Sequence, residues 1–225
     1  MTPQSTSAAS TTSAQTRQTS AVSALAIEAN FDPITKAAFK YRRKHIYRYL
    51  KKKGVKVVLL CGKEAVRRRV RAEATQANIT YIIGVGHGRD RSFRGYRNQP
   101  VFRIGGYAAE EVRGKVVHLL SCFTASNLGM DFLSQGCRAF FGYQEEFAIP
   151  ASNLKELNEL AEAFFGSDGE IDLAFADGVP VEQILDRVRR KFDQHIAMLD
   201  RQGQRESSAT LESNRDLLIG LFASS

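Results

Sequence analysis

The chain has 225 residues, 43% of them hydrophobic, which is enough for one substantial core and short for two independent domains. No apolar run approaches the roughly 18 residues of a membrane span. Its three cysteines, Cys61, Cys122 and Cys137, are an odd number without metal-type spacing, so they imply neither a disulfide framework nor a zinc site. The expectation is a soluble protein of a reducing compartment, the cytoplasm.

The net charge of +8 is unevenly spread. Residues 36–71 hold 15 Lys or Arg against one acid, Glu64, whereas residues 145–225 hold 16 acids against 8 bases. Such polarity suits a nucleic-acid or acidic partner, or equally an attraction between the two halves of the chain.

In chain order, residues 1–25 are mostly Ser, Thr, Ala and Gln, a composition that predicts a disordered tail, and residues 26–225 form a single domain. The apolar stretch 21–27 is too short and too late for a secretory signal. Asp32-Pro33 is a helix start, with Asp as cap and Pro in the first turn. Phe39, Ile46 and Leu50 recur at helical spacing while Arg42, Lys44, Arg48 and Lys51 fill the other faces, and Gly54 ends the helix. Val55 to Leu60 reads as a buried strand, Glu64 to Asn78 as an arginine-rich helix, and Ile79 to Gly86 as the next strand, a succession that predicts a parallel crossover. Arg89 to Gly114 reads as loop with a short strand at Val101 to Ile104. Lys115 to Leu120 is another strand; Ser126 caps a helix carrying Leu128, Phe132 and Leu133; Cys137 to Tyr143 is a further strand. Two amphipathic helices follow, one on Leu154, Leu157, Leu160, Phe164 and Phe165, the other on Val181, Ile184, Val188, Phe192 and Leu199. Residues 201–214 read as a mobile loop and Asp216 to Phe222 as a closing strand. The class is α/β with a mainly parallel central sheet flanked by helices.

Open parallel sheets bind ligands outside the carboxyl ends of their strands. Two strands end there in reactive residues, one in His87-Gly88 and the other in Ser121-Cys122. A thiol with pKa near ~8.5 is mostly protonated at neutral pH, so an imidazole that accepts its proton makes the pair a nucleophile and general base. Gly88 lets a carbonyl approach the backbone, and its N–H with that of Cys122 could form an oxyanion hole. On position alone Cys122 reads equally as a small buried hydrophobe. Cys61 and Cys137 read as structural, His118 as a hydrogen-bonded core or surface residue, and His45, His195 and Asp90 as solvated. Gly84, Gly86 and Gly88 do not complete a nucleotide fingerprint, because Arg89 stands where glycine is required.

A hydrophobic strand ending in His-Gly, followed by one ending in a small residue and Cys, resembles the caspase-like (clan CD) cysteine peptidases: caspases, metacaspases, gingipains, separases and CHAT-domain proteases. Val117-His118-Leu119-Leu120-Ser121-Cys122-Phe123-Thr124-Ala125, with Leu128-Gly129 and Gly136 to Tyr143, is most similar to the CHAT and gingipain branch, and Asn214 to Leu218 is similar to its closing strand. The resemblance implies a three-layer caspase-like fold. It implies a cysteine endopeptidase that acts on protein or peptide substrates through a thioester, with His87 as general acid/base, Cys122 as nucleophile, and the Gly88 and Cys122 N–H groups as oxyanion hole. No metal or organic cofactor is implied, and an activating protein partner is left open. Leu120 stands where metacaspases carry an acid two residues before the cysteine, so their preference for basic substrates does not transfer. The alternatives are a peptidase-like interaction module that does not cleave and a basic nucleic-acid-binding protein. Residues that choose the substrate are expected in the loops 89–114 and 144–152.

Overall fold

The computed structural model describes residues 22–223. It opens with a strand that composition concealed. Ser23–Glu28 (β1) is buried along its whole length and lies between two other strands, although residues 23–25 had been expected in the tail. Residues 1–21 of that tail lie outside the described residues. Ala24 and Ala26 are weak strand formers; they adopt β structure because both neighbours supply a hydrogen-bonded edge, an instance of tertiary context overriding propensity.

The chain continues through helix α1 (Pro33–Lys52), β2 (Lys56–Cys61), helix α2 (Arg67–Ala74) and β3 (Ile79–Val85). Helix α2 covers only part of the expected span, because a 3-10 turn at Gly62–Glu64 precedes it. Three short strands, β4 (His87–Arg89), β5 (Ser92–Arg94) and β6 (Pro100–Arg103), form a separate antiparallel sheet where a loop was expected. Then come β7 (Val116–Leu120), α3 (Asn127–Ser134), β8 (Ala139–Tyr143), α4 (Leu154–Ala176), α5 (Ile184–Arg201), α6 (Arg205–Leu217) and β9 (Leu218–Phe222). Helix α6 replaces the expected mobile loop at 201–214, and its Leu211 and Asn214 are buried.

The main sheet has the order β2-β1-β3-β7-β8-β9, parallel except for β9, which runs antiparallel to β8. The step from β2 to β3 is a parallel connection, as expected, but β1 lies between them, and β2 is a half-buried outer strand. Successive side chains alternate between two cores. Ala24, Ala26, Tyr81, Ile83 and Phe141 meet the face covered by α1, α4 and α5, while Leu25, Ile27, Ile82, Leu119 and Phe140 meet the face covered by α2, α3 and the small sheet.

Helices α1 and α4 are held by more than apolar contact. Arg42 lies on the same stripe as Ala38, Ile46 and Leu50 and is fully buried, contrary to its expected place on a solvated face. It pairs with Asp168, 3.0 Å away, and with Asp172, both on α4. Lys53 reaches Asp177 at 2.7 Å. Part of the attraction between basic front and acidic back is therefore satisfied inside the molecule. Among the described residues, no helix is long and apolar enough to cross a membrane.

Candidate active site

Register decides where the reactive residues fall. Strands β3 and β7 are adjacent and parallel, and their last aligned pair is Val85 with Leu120. His87 and Cys122 each lie two residues beyond that pair. By strand alternation both share the face of Val85 and Leu120, which is the α1 and α4 side. Both line one cavity of about 110 Å³ at this edge of the sheet. Ile34, Thr35 and Ala38 of α1, Glu146 and Phe147 of the β8–α4 loop, and Phe165 of α4 complete its wall.

His87 is held from the β1–α1 connection. Its Nε2 lies 2.9 Å from Asp32 Oδ2, and the Phe31 ring packs edge-on against the imidazole at 5.7 Å between centroids. With a carboxylate as acceptor, Nε2 carries the proton and Nδ1 keeps the lone pair of the neutral ring. Asp32 is itself fixed as the N-cap of α1. Oδ1 accepts from Thr35 N at 3.0 Å and Oδ2 from Thr35 Oγ1 at 2.9 Å. Burial works against its charge, yet the Thr35 N–H and the His87 imidazole hold the carboxyl below the ordinary aspartate range. The sequence marked Asp32 only as a cap. Its contact with His87 depends on β1, whose alanine-rich sequence carries no strand signal but which pairs with β3 and so brings Asp32 to the end of the sheet where His87 emerges.

Burial raises the Cys122 thiol above its ordinary pKa; the Phe147 N–H and the residue's own N–H lower it, and the Glu146 charge raises it further. The resting sulfur is therefore a protonated thiol, and its reactivity depends on a base. Phe123, the next residue, has φ of 61°, a left-handed conformation uncommon for a non-glycine residue, and its N–H donates to Glu145 O at 2.9 Å. The loop that supplies Glu146 and Phe147 is fixed by buried Asn214, whose Oδ1 accepts from Ala148 N at 3.1 Å and whose Nδ2 donates to Ala148 O at 2.7 Å. Nothing in the local sequence of Asn214 signals this contact, which spans 66 residues.

The alternating glycines have a packing explanation. A Cβ on Gly86 would lie 2.2 Å from Arg94 O, and one on Gly88 would lie 2.1 Å from Cys122 O and 2.3 Å from Ser121 Oγ. The glycine backbone is thus overlain by β5 and by the turn that carries the thiol. That contact holds Gly88 against Cys122. Ser121 Oγ is buried with no hydrogen-bond partner among the described residues.

No family model matches this chain, and no curated protein matches it.

The remaining candidates separate clearly. Cys137 is buried and its thiol is pushed up to about 12, chiefly by burial. Cys61 is half-buried and accepts from Asn30 Nδ2 at 3.1 Å. His45 is exposed and stacks on Tyr41, whereas His195, expected in solvent, is buried with Nδ1 2.8 Å from Ser167 Oγ. Asp90 Oδ2 accepts from Asn127 Nδ2 at the start of α3. Of the two loops expected to choose a substrate, residues 144–152 contribute to the cavity wall, and residues 89–114 supply none of it. Among the described residues, no group of three or more His, Cys, Asp or Glu side chains could hold a metal ion.

His118 is the centre of a buried polar network. Its Nδ1 lies 2.9 Å from Asp172 and its Nε2 3.1 Å from Asp168, so both ring nitrogens face carboxylate oxygens. Burial lowers its pKa, but the two carboxylates outweigh that and raise it to about 9. Tyr143 donates to Asp168 at 3.1 Å, Tyr81 to Asp172, and Tyr47 to Glu28. Two acids four residues apart in the apolar run of α4 were the available signal, since that spacing puts both on one helix face.

Proposed function

We propose that the protein is a cysteine endopeptidase of three-layer, caspase-like architecture, acting in the cytoplasm on protein or peptide substrates. The observation that carries this reading is one cavity lined by both Cys122 and His87, with the His87 imidazole anchored by the Asp32 carboxylate.

In this reading the substrate carbonyl carbon faces the Cys122 sulfur and its oxygen faces the N–H groups of Gly88 and Cys122. His87 Nδ1 takes the thiol proton as the sulfur attacks the carbonyl carbon, forming the C–S bond and a tetrahedral oxyanion. The N–H groups of Gly88 and Cys122 stabilise that oxyanion. The imidazolium then gives its proton to the departing amine nitrogen, the C–N bond breaks, and a thioester remains. Water, deprotonated by His87, attacks the thioester, releasing the acid and restoring the thiol. Asp32 keeps the proton on Nε2 and stabilises the imidazolium between these steps.

The test is cleavage of a peptide library by the purified protein, by Cys122→Ala and by His87→Ala. The reading requires cleavage by the parent alone; a folded parent that cleaves nothing, or a Cys122→Ala variant that still cleaves, ends it. The alternative reading is an interaction module that binds peptides in the same cavity without cutting them. That reading expects equal peptide binding by parent and Cys122→Ala with no product from either.

A further inference from the structure

We propose that the cavity beside Cys122 receives one uncharged aliphatic or thioether side chain, of leucine or methionine size, from the residue on the acyl side of the bond to be cleaved. This rests on the peptidase reading above. The floor is formed by Ala38, Val85, Leu120 and Phe165, all buried, and Phe147 and Ile34 close the sides. Apart from the His87 imidazole, the charged side chain on the wall is Glu146, which is exposed at the rim.

Charge and size both narrow the occupant. An acidic side chain would lose its hydration against an apolar floor and meet the repulsion of Glu146. A lysine or arginine head would meet a carboxylate only at the rim, where Glu146 is exposed and its attraction is screened by water, and on the floor it would find none to replace its hydration. The two hydroxyls on the wall do not alter this: Thr35 Oγ1 is bonded to Asp32, and Ser121 Oγ, unpartnered among the described residues, is a neutral group that does not replace the hydration of a full charge. An apolar cavity of roughly 150 Å³ holds a benzene ring. The volume of about 110 Å³ therefore suits a branched or linear four-atom side chain and is tight for an aromatic one. The apolar lining also means that what enters is recognised by fit, so single methylenes change the rate by about tenfold or more.

The test uses short peptidyl acyloxymethyl ketones ending in Leu, Ala, Phe, Arg or Asp. In each the Cys122 sulfur displaces the carboxylate leaving group, and the adduct is followed by intact mass. The Leu probe is expected to label at least ~100-fold faster than the Arg and Asp probes. Phe147→Ala, a change in a loop, should widen the cavity and raise the Phe probe about tenfold relative to Leu. Ala38→Val should narrow it and shift preference from Leu towards Ala. Fastest labelling by Arg or Asp, or equal rates for all probes, would overturn the pocket assignment and leave the peptidase reading standing. Failure of every peptidyl probe on a protein whose Cys122 still reacts with iodoacetamide would overturn both.

Discussion

Asp32 Oδ2 sits 2.9 Å from His87 Nε2 while the same carboxyl group caps helix α1 through Thr35. One side chain thus ties the start of a helix to the orientation of the candidate base. Asn caps a helix about as well as Asp, so Asp32→Asn separates the two roles. It should change stability by less than about 1 kcal/mol and lower peptide turnover by roughly 10²-fold or more, because the amide can present its N–H to Nε2 and favour the wrong tautomer. Asp32→Ala should lose the cap as well, at about 1 kcal/mol. Urea denaturation alongside steady-state kinetics distinguishes the two; equal kcat for parent and Asp32→Asn would remove Asp32 from the site.

The thiol offers a direct chemical test. Burial keeps Cys122 above the ordinary thiol pKa, so iodoacetamide alkylation should be slow at pH 7 and rise about tenfold per pH unit through the alkaline range. Glu146 raises the thiol further, and Glu146→Gln should speed labelling near neutral pH several-fold. Mapping by peptide mass should show Cys137 unlabelled throughout, since it is both buried and pushed up to about 12. An unchanged Cys122 rate in Glu146→Gln would contradict the electrostatic account.

Asn214 should act on the site through the loop it clamps. Asn214→Ala leaves two backbone groups of Ala148 without their buried partner, a loss of about 1–3 kcal/mol. Because Phe147 adjoins Ala148, the variant should also raise the alkylation pKa of Cys122 as the Phe147 N–H drifts from the sulfur. Asn214→Asp keeps the acceptor and should restore only the bond from Ala148 N. A variant that loses stability but retains the parent alkylation profile would make Asn214 structural alone.

The buried network sets a pH dependence of stability. Glu28 is raised from 4.5 to about 7, chiefly by burial, and its Oε2 has no partner among the described residues, as suits a protonated carboxyl. The folded protein therefore holds more protons than the unfolded chain between about pH 4.5 and 7, and stability falls as pH rises through that window. His118, raised from 6.5 to about 9, contributes fully below 6.5 and loses its contribution as pH rises through about 9. Asp172 is lowered to about 2: burial raises it, but Arg42 and His118 outweigh that, so its contribution is lost only as pH falls through about 2. Stability should peak near pH 4 to 5 and decline towards pH 9, each group contributing on the order of 1–3 kcal/mol. Glu28→Gln should flatten the lower half of that decline in denaturant titrations. Arg42→Ala should cost about 3–5 kcal/mol, because it strands buried carboxylates; a loss under about 1 kcal/mol would argue against the network.

The sequence by itself determined the elements whose local signals are strong. Gly54 and Gly136, both at positive φ, end the segments they were expected to end, and Pro33 stands in the first turn of α1. The apolar runs through Ile83 and Leu119 became central strands because hydrophobicity and β-branching are properties of the residues themselves. His87 and Cys122 were legible for the same reason: the apolar runs stop where Gly86-His87-Gly88 and Ser121-Cys122 begin.

Tertiary structure decided whatever depends on neighbours distant in the chain. Ser23–Glu28 is a strand because β2 and β3 flank it, and residues 205–217 are a helix because Leu211 and Asn214 find buried partners. Arg42 is buried because Asp168 and Asp172 stand opposite it on another helix. The cavity, the Asp32–His87 bond and the Asn214 clamp follow from the same cause: each joins segments whose chemistry is visible in sequence but whose proximity arises only when helices α1, α4 and α6 pack at one edge of the sheet.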